Sequence, residues 1–189
     1  MTDRLTADLA ATVRAARTDL NLSVNALAES SGVSRAMIAK IERAEVQPTA
    51  ALLGRLSAAL GLTLSELFAR TEGATPRLAR HADQILWTDP RTGYRRRSVS
   101  PAGSPVQLVE VELPAGAEVS YPAESYALAD HQIWVLAGRL RFREGAVDHE
   151  LEAGDCLTLG TPAPGTYQNV TDQPCRYLVV LNRGRNGTP

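Results

Sequence analysis

Apolar residues recur three and four positions apart in the N-terminal third of the chain and alternate in short runs beyond it, so the pattern predicts helices followed by strands. Leu5, Leu9, Val13, Ala16 and Leu20 make one stripe, and Val24, Leu27 and Ala28 a second. Val33, Ile38 and Ile41 make a third, and Leu52, Leu53, Leu56, Ala59 and Leu60 a fourth that follows Thr49 and stops at Gly61. A fifth helix opens at Thr63-Leu64-Ser65-Glu66, the Ser/Thr-x-x-Glu form of a capping box. Ser23 and Ser34 precede the second and third helices, where a hydroxyl satisfies an otherwise unpaired helical N–H. Gly32 lies in the turn between them, where a positive φ costs least.

Residues 23–43, SVNALAESSGVSRAMIAKIER, therefore spell a helix-turn-helix, the layout that places one helix in a DNA major groove. The exposed face of its second helix offers Arg35, Ala36, Ala39, Lys40 and Arg43. Small residues allow close approach, and cations meet phosphate or the acceptor edge of guanine. Five short helices with the core GVSRAMIAKIERAEVQPTAALLGRLSAALGLTLSEL closely resemble the DNA-binding domain of the Cro and phage-repressor (XRE) type, over roughly residues 6–69. The resemblance implies an all-α DNA-binding domain at 1–72 in which Arg35, Ala36 and Lys40 read base edges. It adds Ser23, Ser34 and Arg43 to the DNA-contacting set, since the start of the second helix and the turn after the third meet phosphates. Glu42 falls where the family often has Glu and reads as structural. Val24 departs from a common polar phosphate contact. Ala44 stands where Gly is common, at a left-handed position that strains a residue with a Cβ.

Beyond Phe68 the helical period ends, and TEGATPRLARHADQ reads as a linker, placed at residues 73–83. Seven β-rich runs follow, at 84–88, 94–99, 106–113, 131–137, 139–143, 155–159 and 175–181, separated by turn signals such as Pro90, Gly103, Gly116, Gly138 and Gly154. Short strands at this spacing predict an antiparallel barrel or jelly roll. PAGAEVSYPAESYALADHQIWVLAGRLRF and LEAGDCLTLGTPAPGTYQNVTDQPCRYLVVLN resemble the two motifs of a small cupin barrel, over about residues 104–182. The fold class is thus multidomain: an all-α five-helix helix-turn-helix domain and, at 84–189, an all-β cupin.

Metal-binding cupins supply His-x-His and a Glu from the first motif and a His from the second, because a divalent transition metal needs several converging donors. Here Pro122 and Glu124 occupy the His-x-His positions, His131 stands where the Glu is usual, and Gly165 replaces the last His. Too few donors remain, so no metal, no other cofactor and no catalytic residue is expected. The barrel mouth instead resembles an effector site, with Tyr121, Glu124, Tyr126, His131, Tyr167 and Gln168 as its ligand-binding residues. In the run Arg95-Arg96-Arg97, alternation sends Arg96 to the face opposite the other two, and one of these faces can reach an anionic ligand or the DNA domain.

The net charge of −1 is unevenly spread. Eight cations match eight anions in residues 1–73, six exceed two in 74–101, and six face eleven in 102–189. A neutral head has modest nonspecific affinity, so a dimer spanning two half-sites is expected to supply the strength. No apolar run approaches the roughly 20 residues of a membrane span. Cys156 and Cys175 suggest no disulfide framework, which fits a reducing cytoplasm. The reading is a cytoplasmic, homodimeric transcriptional regulator that binds a double-stranded DNA operator and senses a small-molecule effector, with no membrane partner. A cupin metalloenzyme with an accessory helix-turn-helix domain is one alternative, and a regulator whose cupin only dimerises it is another.

Overall fold

The computed structural model describes residues 2–71 and 77–183. Positions 73–76 of the expected linker lie outside the described residues. The helices are α1 (Thr2–Asp19), α2 (Val24–Ser31), α3 (Arg35–Glu42), α4 (Ala50–Ala59) and α5 (Leu64–Ala69). Four start at side-chain caps: Ser23 accepts from the Ala26 N–H, Ser34 from Met37, Thr49 from Leu52 and Thr63 from Glu66. The Glu66 carboxylate returns a bond to the Thr63 N–H, completing the capping box. The predicted stripes converge, burying Leu9, Val13, Leu27, Ile38, Ile41 and Leu56. Leu20 departs from its stripe: α1 ends at Asp19, and Leu20 is half exposed.

Glu42 has the structural role expected of it. The Arg17 guanidinium donates to both its carboxylate oxygens, at 2.6 and 2.9 Å, and Nη1 donates to the Leu22 carbonyl at 2.7 Å. This mostly buried fork fixes α3 against α1. Ala44 adopts φ 56°, the left-handed conformation in which a Cβ is strained. Ala44→Gly is therefore expected to stabilise the fold by up to about 1 kcal/mol, the left-handed penalty less the entropy of Gly. A urea titration reads this as a higher midpoint, and a lower one would refute it.

The second domain is two facing antiparallel sheets. One runs β1 (Leu86–Thr88), β2 (Arg95–Ser98), β3 (Val106–Leu113), β10 (Cys175–Asn182), β5 (Asp130–Ala137) and β8 (Cys156–Thr158), in that order. The other runs β4 (Glu118–Tyr121), β9 (Gly165–Gln168), β6 (Arg139–Glu144) and β7 (Val147–Glu152). Alternation along β3, β5, β6 and β10 aims Val111, Leu113, Ile133, Val135, Phe142 and Tyr177 inward, where all are buried. β4, β7 and β9 were not among the predicted runs. β7 buries only Leu151; Val147 on the same face is exposed and His149 lies between them, so the apolar alternation is weak. The motif residue Asn169 is fully buried: its amide donates to the Leu113, Pro114 and Gln173 carbonyls and its oxygen accepts from Thr171. Gly138 turns the chain from β5 to β6 at φ 80°, where a Cβ would lie 2.9 Å from the Pro174 carbonyl oxygen.

The two domains pack directly on one another, with α4 and α5 over the barrel mouth. The buried Asp89 carboxylate accepts the Ala50 N–H at 2.5 Å, so a barrel loop caps the start of α4. Gln47 donates to the Thr88 carbonyl at 2.9 Å. The rings of Phe68, Trp87 and Tyr94 meet in series, the first pair tilted and the second edge-on, with centroids 5.8 and 6.2 Å apart. Arg183 pairs with Glu66 at 2.7 Å.

Candidate DNA interface and barrel cavity

At the far side of the helical domain, Arg35, Ala36 and Lys40 share the exposed face of α3, opposite the buried Ile38 and Ile41. Ser23 and Ser34 are exposed caps at the N-termini of α2 and α3. Their helix ends present backbone N–H groups and positive dipole, the arrangement that receives a phosphate. Arg43 is the C-cap of α3 and is already bound by Glu45, at 2.6 and 3.0 Å. That partner offsets its charge, so Arg43 enters any phosphate contact at a cost that Arg35 and Lys40 do not share. Val24 is half-buried and packs on the core, consistent with its apolar character.

The second site is a cavity of about 60 Å³ at the barrel mouth. Of the six expected ligand-binding residues, the structure brings four to it: Tyr121, Tyr126, His131 and Tyr167. The other two lie elsewhere. Glu124 sits exposed on a short 3-10 turn (Ala123–Tyr126), because the longer spacing to His131 loops it out of the barrel. Gln168 follows the alternation of β9 outward and donates to Glu118 at 3.0 Å. Tyr94, Arg96 and Tyr177 join the wall from the barrel, and Gly54 and Ser65 from the helical domain. The signal for Arg96 was the alternation of the arginine run: Arg95 and Arg97 pair outside with Glu112 and Glu110, whereas Arg96 is buried. No local signal marked Gly54 and Ser65.

Two glycines make room for tyrosines. A Cβ on Gly54 would lie 2.6 Å from Tyr121 Cδ1, so α4 can approach this ring only as glycine. A Cβ on Gly165 would collide with the Tyr126 hydroxyl, so the second-motif position that holds His in metal cupins here opens the space that the Tyr126 ring fills. The residues present do not fit a cupin metal centre, since Tyr126 stands over the lost donor and Glu124 faces away. Among the described residues, no group of three His, Cys, Asp or Glu converges.

The His131 Nδ1–H donates to the Ala129 carbonyl at 2.8 Å, and its ring meets Tyr126 edge-on at 5.2 Å. Burial lowers its pKa, only partly opposed by the Ala129 carbonyl and Asp130, so the neutral imidazole is favoured with Nε2 as acceptor. A depressed histidine pKa contributes stability that is full above the unfolded value of about 6.5 and declines as pH falls below it. His131→Gln is thus expected to flatten the pH dependence of the urea midpoint below that value. A dependence as steep as the parent's would contradict this. Burial likewise holds the Tyr121, Tyr126 and Tyr167 hydroxyls well above the usual tyrosine range, so all three remain donors.

Residues 13–67 match the model of a helix-turn-helix family. The chain is 37% identical over 68 residues to the HTH-type transcriptional regulator SutR of Escherichia coli (strain K12), a match covering 36% of this chain and 38% of that protein. The match thus spans well under half of either protein. A crystal structure of an HTH_3 family transcriptional regulator from Vibrio cholerae superposes with a TM-score of 0.80 at 22% identity, covering 98% of this chain and all of that one. Hydroxypropylphosphonic acid epoxidase from S. wedmorenis aligns at 14% identity and a TM-score of 0.47, over 94% of this chain and 97% of its own. Residues 13–67 thus form a helix-turn-helix domain, and the chain as a whole shares the fold of the Vibrio cholerae structure. No helix among the described residues is long and apolar enough to cross a membrane.

Proposed function

We propose that this chain, a helix-turn-helix domain seated on a cupin barrel, is a cytoplasmic transcriptional regulator that binds a double-stranded DNA operator as a homodimer and senses a small molecule in the barrel. The observation that carries the reading is the shared wall of the cavity. Gly54 of α4 with Leu64 and Ser65 of α5 close a chamber otherwise built by the barrel, so an occupant touches the DNA-binding domain itself. Linkage then requires that, if operator binding shifts α4 and α5 and so changes the occupant's affinity by some factor, the occupant changes operator affinity by the same factor. α3 carries the base-reading role, Arg35 and Lys40 by hydrogen bonds in the major groove and Ala36 by apolar contact.

Selection of operator fragments by the full chain, followed by fluorescence anisotropy, tests the DNA arm. Arg35→Ala and Lys40→Ala are each expected to weaken specific binding by about 1–3 kcal/mol, roughly 5- to 150-fold. The selected sites are expected to be roughly palindromic, with half-sites about one helical turn apart. Binding by both variants at parental affinity would overturn the assignment of α3, and a monomer at saturating concentration in sedimentation would overturn the dimer.

A further inference from the structure

Arg96 is a buried cation without a carboxylate. It is 3% exposed, and among the described residues it forms no ion pair. Its guanidinium donates to Ser65 Oγ at 2.5 Å and Ser98 Oγ at 3.1 Å and lies 4.6 Å over the Phe68 ring. Neutral hydroxyls and a π face do not cancel a full charge, and a guanidinium stays charged even when buried. Burial of an unpaired charge is costly unless an anion joins it. In the same cavity, the hydroxyls of Tyr121 and Tyr126 are buried and make no hydrogen bond of good geometry, each facing only another tyrosine hydroxyl, that of Tyr94 and Tyr167 respectively. The cavity therefore gathers one uncompensated cation and two donors with no firm acceptor, and none of its lining residues is acidic.

We infer that the barrel cavity binds a small organic carboxylate, with Arg96 as counter-ion and the Tyr121 and Tyr126 hydroxyls as further donors. The inference rests on the sensor reading and specifies the chemistry of its ligand. The planar fork of a guanidinium matches a carboxylate in a bidentate pair. Leu64, Val109, Val179 and Leu181 give the chamber an apolar side as well, which suits a short apolar stem better than an inorganic oxyanion with acceptors on every side. A cavity of about 60 Å³ has space for roughly four to six non-hydrogen atoms, the size of acetate to pyruvate. The occupant competes with Ser65 for the guanidinium, so its arrival alters the bond between barrel and α5.

Isothermal titration of the full chain with acetate, propionate and pyruvate, each against its neutral amide, tests the assignment at constant chloride. The carboxylate is expected to bind one per chain and its amide at least tenfold more weakly. Arg96→Met is expected to abolish binding and Tyr126→Phe to weaken it, the second variant removing only an oxygen atom. Equal binding of amide and carboxylate would overturn the anion assignment while leaving a sensor of neutral ligands standing. Equal binding of nitrate or sulfate would overturn the organic carboxylate. Undiminished binding in Arg96→Met, or no binding of any probe, would overturn the proposal outright. The operator titrations with Arg35→Ala judge the DNA reading independently.

Discussion

Trp87→Ala is expected to cost about 3–5 kcal/mol, the range for truncating a large buried aromatic. Trp87 is 2% exposed, on the edge strand β1 rather than deep in either core. Its ring stands between Phe68 of α5 and Tyr94 beside β2, so it is the apolar joint of the two domains. Polar contacts around it, from Asp89 to α4 and from Arg183 to Glu66, are geometrically specific but contribute less than the apolar area they surround. Loss of the indole should therefore loosen the domain contact. In a urea titration followed by far-UV circular dichroism, the parent is expected to unfold in one transition and Trp87→Ala at a lower midpoint with the helices melting first. A loss below 1 kcal/mol would mean that the joint is carried elsewhere.

Arg17→Met is expected to cost a similar 3–5 kcal/mol, because it strands the mostly buried Glu42 carboxylate without its partner. The arginine also satisfies the Leu22 carbonyl, so its removal leaves three acceptor oxygens short of donors. Arg17→Met combined with Glu42→Leu is expected to recover most of this, since a fully apolar pair leaves no buried charge. Thermal melts of the parent, Arg17→Met, Glu42→Leu alone and the double variant form the cycle. Equal losses in the single and double variants would show that packing, not charge, governs the site. Operator affinity should follow the same order, because this pair fixes the tilt of α3 against α1.

The helical domain was legible because its signals are local. Ser23, Ser34, Thr49 and Thr63 announce helix starts through chemistry that acts within one turn. β3, β5 and β10 were legible through alternation over eight residues each. β4 buries a single apolar residue, Val119, and β9 opens on Gly165 with Tyr167 as its one buried side chain, so neither shows an apolar run, while β7 has only Val147 and Leu151 on one face with His149 between them. In the cavity, the tyrosines beside the motif positions, and His131, could be named because the cupin resemblance fixed where inward positions fall. Glu124 could not be placed the same way, because an extra loop breaks the spacing. Arg96 could be sent to a face by parity but not known to be buried, since that depends on α5 lying over it. Gly54 and Ser65 were invisible as site residues, because a wall supplied by another domain is a long-range contact with no local pattern.

The proposed function requires coupling between the barrel and α3. Its most direct test is the operator dissociation constant of the full chain, measured by anisotropy with and without a saturating concentration of the carboxylate that binds the barrel most tightly. A change of about 5- to 150-fold, equivalent to 1–3 kcal/mol of coupling, is the expected result. Superimposable titrations in the two conditions would contradict the account.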